Sequence, residues 1–156
     1  MEFEFKPIGI VHSPFRKIED IEVRKFADPQ GFDHILGELE VFREYEEGLQ
    51  DTEGFSHLIV LYVFHKSEGY RLRTKPFLEE RLRGVFSTRS PYRPNPLGLT
   101  VARVLERDGN ILKVSGIDML EGTPILDIKP YTSRDQKSSI RLGWLEDKLK
   151  SDCWKE

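Results

Sequence analysis

The sequence predicts a mainly β domain, a barrel or a sandwich, and three observations carry that reading. Strand-like segments follow one another with few helical patterns between them. Arg107-Asp108-Gly109 separates two β-rich runs, Leu99–Glu106 and Asn110–Gly116, which is the pattern of a hairpin. Phosphate loops are absent: no G-x-G-x-x-G follows a strand and there is no Walker sequence. That argues against a Rossmann-type nucleotide site.

Taken in order, Phe3–Val11 reads as a strand ended by His12-Ser13-Pro14. Residues 15–35 mix charges with Asp28-Pro29-Gln30-Gly31 and read as an ordered, irregular loop. Gly37–Phe42 alternates with period two, a half-buried strand. His57–His65 is apolar on both faces and reads as a buried strand. A short helix is predicted over Thr74–Leu82, starting at Pro76, and a strand over Gly84–Thr88. After the hairpin, Pro124–Tyr131 is a strand. Ser138–Leu149 places Leu142, Leu145 and Leu149 on one helical face, for packing on the body or on a second subunit. The expected organisation is one domain over 1–137 with a helical tail over 138–156, as the length of 156 residues suits.

Composition narrows the setting. The longest apolar run, Leu58–Phe64, has seven residues and is too short to span a bilayer. No basic stretch followed by an apolar one opens the chain, so a cytoplasmic setting is expected. Cys153 is the sole cysteine, which excludes an internal disulfide framework and a multi-cysteine zinc site. The net charge of −3 is unevenly spread. Lys66–Arg107 holds ten Lys/Arg and four Asp/Glu, giving +6 and leaving −9 for the rest. A basic patch on an acidic body suits a polyanionic partner; ordinary surface ion pairs are the plainer reading.

The four histidines, His12, His34, His57 and His65, show no H-E-x-x-H spacing. His57 and His65 would lie about 26 Å apart on a straight strand, so no metal is expected there. Ser87 or Ser90 with His65 and Asp118 could be drawn as a hydrolase triad, but no G-x-S-x-G elbow supports it. The densest stretch runs from Gly84 to Leu99, with prolines at 91, 94 and 96 around Arg89, Tyr92, Arg93 and Asn95. Proline fixes φ and restrains the residue before it, so this loop is ordered by sequence rather than by burial. A binding site needs that preorganisation, and a plain connector has little use for two arginines and an aromatic. In the second dense stretch, Ser115–Tyr131, the charged Asp118, Asp127 and Lys129 interrupt apolar strand sequence. Asp127 and Lys129 share a face, either as partnered buried charges or as the solvated face of an edge strand.

These stretches together resemble the TsaA-like (TrmO-type) tRNA N6-adenosine methyltransferase family. The resemblance runs from Phe5 to about Tyr131. It includes Ile8-Gly9-Ile10-Val11-His12-Ser13-Pro14-Phe15, Gly54-Phe55-Ser56-His57-Leu58 and Phe64-His65. Its strongest parts are Gly84-Val85-Phe86-Ser87-Thr88-Arg89-Ser90, Arg93-Pro94-Asn95-Pro96-Leu97-Gly98-Leu99, Asp118–Pro124 and Asp127-Ile128-Lys129-Pro130-Tyr131.

The resemblance implies a small single-domain β-barrel that binds S-adenosylmethionine without a Rossmann fold and acts as a homodimer. The implied reaction is N6-methylation of threonylcarbamoyl-adenosine at position 37 of threonine tRNA. Cofactor contacts would fall on His65, Lys66, Arg89, Leu99, Ser115, Gly116, Ile117 and Asp118, with Pro29, Gln30 and Gly31 in the early loop. That loop departs from the bacterial form, which has Pro-Arg-Gln followed by Pro-Gly where this chain has Phe26-Ala27-Asp28-Pro29-Gln30-Gly31. In this reading Asp118 accepts from a ribose hydroxyl or adenine amino group, Arg89 pairs with the methionyl carboxylate and Leu99 is an apolar wall. Lys129 and Tyr131 line the acceptor side; no residue is assigned as proton acceptor. Arg71, Arg73, Arg83 and Arg93 meet tRNA phosphates, and no metal or membrane is involved. The competing expectation is a non-catalytic module that binds the cofactor or RNA.

Overall fold

The structure, a computed structural model, describes residues 1–27, 31–76 and 79–146. Its strands are β1 (Gly9–His12), β2 (Leu36–Val41), β3 (His57–Val63), β4 (Arg73–Thr74), β5 (Arg83–Gly84), β6 (Leu97–Asp108), β7 (Ile111–Ser115) and β8 (Pro124–Pro130), and α1 (Ile18–Ala27) lies between β1 and β2. Six of them follow the order β1-β2-β7-β6-β3-β8, all antiparallel, and β8 pairs back with β1 to make a closed barrel. β4 and β5 form a separate two-stranded ribbon.

Alternation decides what faces the core. Along β3, Leu58, Val60 and Tyr62 point inward, and along β6, Gly98, Thr100 and Ala102 do so. They meet Val11, Leu39, Val41, Leu112, Val114, Ile117 and Ile125 in one apolar interior. Phe15 closes one end, edge-on to Phe32 at 5.8 Å.

Several elements differ from the sequence expectation. β1 starts at Gly9, and Phe3 and Phe5 stand 75% and 70% exposed, because β1 pairs with its neighbours only from Gly9 onward. The stretch read as an irregular loop contains α1, a helix with Glu19 and Asp20 in its first turn that packs Ile21 against the core. Around Pro76 the described residues are not helical, and Phe77 and Leu78 lie outside them. Of Gly84–Thr88, Gly84 alone is in a strand; Val85–Ser87 is a 3-10 turn. The Ser87 and Thr88 hydroxyls donate to the Gly84 and Val85 carbonyls, which favours the turn over a ladder. The hairpin turn lies one residue on, at Gly109-Asn110, with Gly109 at φ 62° as the first position of a two-residue loop demands.

The tail is not helical over Ser138–Trp144, where Ser139 and Gly143 take φ 57° and 56°. Two helical residues, Leu145 and Glu146, follow; the remainder of the predicted helix, with Leu149, lies outside the described residues. What fixes this segment is Trp144, whose indole Nε1 donates to the Ser87 carbonyl at 2.9 Å while its ring lies under Arg83 at 5.5 Å.

Near β1, the His12 imidazole bonds Glu121 Oε1 at 2.8 Å and faces Glu40 at 3.7 Å. The Ser13 amide donates to Glu121 Oε2 at 2.7 Å. The Glu121 hydrogen bond raises the His12 pKa against the opposing effect of burial. Burial acts upward on Glu121, but the Ser13 amide and His12 outweigh it and lower its pKa. The raised histidine contributes stability that is complete below its ordinary value of 6.5 and is lost as pH climbs through the folded value. The lowered carboxyl contributes above its ordinary 4.5 and loses its share as pH falls through the folded value. His12→Gln therefore costs most between those two values. Both side chains are about a third exposed, so solvent screening limits the cost to about 0.5–1 kcal/mol. Denaturation curves of wild type and variant at pH 5.5 and pH 9 should diverge at the first and approach each other at the second; a constant gap disproves the linkage.

Candidate functional site

The site residues gather where β3 ends and β6 begins. Tyr62 faces inward from β3 opposite Gly98 of β6, and Thr100 stands opposite Val60. Thr100 Oγ1 donates to Asp118 Oδ1 at 2.6 Å, and the Tyr62 hydroxyl lies 3.2 Å from Thr100 Oγ1. One hydroxyl proton given to the carboxylate leaves Thr100 lone pairs for the tyrosine. Glycine at 98 makes this possible, since a Cβ there would fall 2.2 Å from the Tyr62 ring. The ring also packs edge-on against Phe64 at 5.4 Å.

Electrostatics tie Arg89 to the same cluster. Burial pushes the Tyr62 pKa up and the Asp118 charge adds to that, while the Thr100 bond and the Arg89 charge act downward. Upward effects win, so the phenol keeps its proton at neutral pH. Arg89 itself is exposed. Alongside, His65 and Lys66 form the turn that leaves β3. Burial, then the Lys66 charge, lower the His65 pKa, which keeps the ring neutral at pH 7.

The proline-rich loop is hooked to that turn. Phe64 N donates to the Pro96 carbonyl at 2.8 Å, and Ser67 Oγ donates to the Pro91 carbonyl at 3.0 Å. Arg93 Nη1 donates to the carbonyls of Thr88 and Ser90, both at 3.0 Å, so this side chain braces the loop from within. Arg83 is held by Glu79 at 3.0 Å and by the Trp144 ring. Each of these guanidiniums is engaged by the protein. Arg71 and Arg73 are exposed.

The chain after β7 completes the cluster. Gly116 takes φ 96°, and the Gly116 and Ile117 amides both donate to the Ile35 carbonyl, at 2.9 and 3.3 Å. This bend carries Asp118 to Thr100. The Ile117 side chain is fully buried in the core and Ser115 is 8% exposed, so neither side chain offers a surface for a ligand.

Other expected residues sit elsewhere. Leu99 points to the outer face of β6, opposite in direction to Thr100, and is 45% exposed between Leu97 and Val101. It is not a wall of the Thr100–Asp118 cluster in its own chain. Asp127 and Lys129 are not buried; they pair with each other at 2.6 Å in a half-exposed position on β8. Tyr131 lies against His57, with ring centres 6.1 Å apart, at the end of β3 remote from Tyr62. It therefore stands away from the Tyr62–Thr100–Asp118 cluster of its own chain. Gly31 is half-buried at φ 60° between α1 and β2, while Pro29 and Gln30 lie outside the described residues. The hydrolase triad is not assembled: Ser87 bonds the Gly84 carbonyl and Ser90 Oγ accepts from the Tyr92 amide. Among the described residues, no three His, Cys, Asp or Glu side chains group as metal ligands, and no helix is long and apolar enough to cross a membrane.

Tyr62 and Thr100 were missed from sequence. Their signal was the inward register: both are hydroxyl-bearing residues on the buried face of apolar strands, where a polar group needs a partner.

The comparisons with known proteins fall on the same segments. The family described as tRNA-methyltransferase O N-terminal domain matches residues 10–136. A Pyrococcus abyssi protein named "Probable S-adenosyl-L-methionine-binding protein" is 47% identical over 143 residues, covering 91% of this chain and 76% of that protein. The Escherichia coli protein named tRNA (adenine(37)-N6)-methyltransferase is 37% identical over 142 residues, covering 83% of this chain and 57% of the relative. A crystal structure of TrmO superposes with a TM-score of 0.75 at 34% identity, covering 92% of this chain and 64% of that one. With the match spanning most of the chain and including the Arg89 loop, Thr100 and Asp118, the protein belongs to the tRNA-methyltransferase O N-terminal domain family.

Proposed function

We propose that the protein transfers a methyl group from S-adenosylmethionine to the N6 amine of adenine 37 in tRNA, and that the acceptor is the threonylcarbamoyl-modified adenosine of threonine tRNA. The observation that carries the reading is the Asp118–Thr100–Tyr62 chain beside Arg89, within a family whose Escherichia coli relative is named for that reaction. The donor set suits the cofactor's two ends. A carboxylate accepts hydrogen bonds at about four sites, which suits a ribose hydroxyl or an adenine amino group. An exposed guanidinium matches a carboxylate.

When bound, the cofactor supplies an electrophilic methyl carbon. The protein's share is alignment, because an in-line displacement gains most from positioning. Thr100 fixes Asp118, and the loop braced by Arg93 and Trp144 fixes Arg89. The proline turns keep the loop from having to order on binding. The amine's proton becomes acidic as the new C–N bond forms, so water suffices to accept it; Tyr62, which holds its own proton, is not a base.

A second copy of the chain is part of this reading. Leu97, Leu99 and Val101 expose an apolar stripe on the outer face of β6, which suits a two-fold contact. Leu99, and Tyr131 just after β8, would then reach a cofactor site through the partner.

A non-catalytic binding module is the second reading, favoured by the binding-protein name of the archaeal relative. Incubation with methyl-labelled S-adenosylmethionine and total tRNA, followed by nucleoside mass analysis, separates the two. Label in methylated threonylcarbamoyl-adenosine is expected. Cofactor binding without transfer to tRNA overturns the enzyme reading and leaves the module.

A further inference from the structure

Phe86 is 78% exposed, the most exposed aromatic ring among the described residues, although its neighbour Val85 is 1% exposed. An ordered turn presents it to solvent. Val85 N donates to the Leu72 carbonyl at 2.9 Å, the Ser87 carbonyl accepts from Trp144, and Thr88 N returns to the Val85 carbonyl at 3.1 Å. Two more rings stand on the same hydrogen-bonded module: Tyr70 at 60% and Tyr92 at 46% exposure. The Arg71 amide donates to the Tyr92 carbonyl at 3.2 Å, which ties the two segments together. Burial does not explain these rings, and neither does the cofactor cluster, whose aromatics Tyr62 and Phe64 face the interior.

Charge selects the occupant. Lys66–Arg93 carries eight Lys/Arg against three Asp/Glu, and Arg71 and Arg73 are exposed between Tyr70 and the turn bearing Phe86. An apolar protein partner would gain little from a surplus of +5, whereas unpaired nucleic acid offers both a phosphate chain and flat bases. Base stacking on aromatic side chains, with backbone contacts from arginine, is how single strands are held without reading sequence. Duplex RNA would leave the rings unused, because its bases are stacked on each other.

We propose that Phe86, Tyr92 and Tyr70 form a stacking platform for unpaired bases of the RNA substrate, with Arg71 and Arg73 taking the adjoining phosphates. The proposal rests on the tRNA reading and extends it: the rings grip the bases around the target, and the arginines grip the strand. The two kinds of contact respond differently to salt, since stacking releases no counterions.

The test is equilibrium binding of an anticodon stem-loop RNA and of a blunt duplex of equal length, across a salt series, by wild type, Phe86→Ala, Tyr92→Ala, Phe86→Trp and the Arg71→Ala/Arg73→Ala pair. Phe86→Ala is expected to weaken stem-loop binding about 5- to 100-fold with an unchanged salt slope. Phe86→Trp should restore it. The arginine pair should weaken stem-loop and duplex alike and reduce the slope by about 2. Melting temperatures of the Phe86 variants should match wild type, because the ring has few contacts to lose. Wild-type binding of the stem-loop with no loss in Phe86→Ala and Tyr92→Ala overturns the platform and leaves the tRNA reading intact. Absence of stem-loop binding by wild type at any salt overturns both. A Phe86→Ala variant that changes from dimer to monomer by light scattering reassigns the patch to a second copy and overturns the platform.

Discussion

Asp118→Ala is expected to lower the affinity for S-adenosylmethionine about 10- to 100-fold, the worth of a hydrogen bond to a charged group at about 1.5–3 kcal/mol. Thr100 Oγ1 already donates to Asp118 Oδ1 at 2.6 Å, so the carboxylate is held in place before any ligand arrives. Removing it takes away an acceptor for the ligand and also leaves the Thr100 hydroxyl, 7% exposed, without its main partner. Thr100→Val keeps the carboxylate but removes the hydroxyl that orients it, so its loss should be smaller, about 5- to 10-fold, as for one ordinary hydrogen bond. Thr100→Ser should recover most of it. Calorimetric titration of the three variants gives the order directly. Wild-type affinity in Asp118→Ala would remove this carboxylate from the cofactor site. Equal losses in Asp118→Ala and Thr100→Ser would assign the effect to packing rather than to the carboxylate.

Gly98→Ala has the second large effect, on stability and on the site together. The added methyl would fall 2.2 Å from the Tyr62 ring and 2.7 Å from its hydroxyl oxygen. Tyr62 is 4% exposed and packed on Phe64, so the ring has little room to withdraw. Overpacking of this kind costs about 1–3 kcal/mol. Any retreat of the ring moves it relative to Thr100, so cofactor affinity should fall too. Urea denaturation of Gly98→Ala, Tyr62→Leu and the double variant tests the cause. If the clash is with the ring, the double variant should be more stable than the sum of the singles predicts by about 1 kcal/mol or more. Strict additivity, or an unchanged midpoint for Gly98→Ala, would rule out the contact as the source.

The two variants differ in what sequence could say about them. Asp118 stands out in a run of apolar residues, and family resemblance singles it out again. Gly98 looks like one more residue of the proline-rich stretch; its meaning depends on Tyr62, which is 36 positions away in the chain and opposite it across the β3–β6 ladder. The same division holds across the molecule. Alternation in Gly37–Phe42 and Pro124–Tyr131 and the turn residues near Gly109 placed β2, β8 and the β6–β7 hairpin to within a residue or two, because those signals are local. α1 escaped because it lies in a stretch that mixes charges with turn residues; in the structure Ile21 docks on the core.

By itself the sequence located most of the barrel strands and singled out the proline-rich 84–99 loop with Arg89, and Asp118 in apolar surroundings. Tertiary structure decided which face of each strand is inside. Period two says that Thr100 and Leu99 point in opposite directions, but closing the sheet on β8 and β1 determines that Thr100 meets Asp118 and Leu99 meets the outside. It also decided which arginines remain exposed. All of the 71–93 arginines look alike in one dimension, whereas Arg83 is taken by Glu79 and Trp144 and Arg93 by two loop carbonyls. Partner choice for a charge depends on distance in space, and a sequence records distance only along the chain.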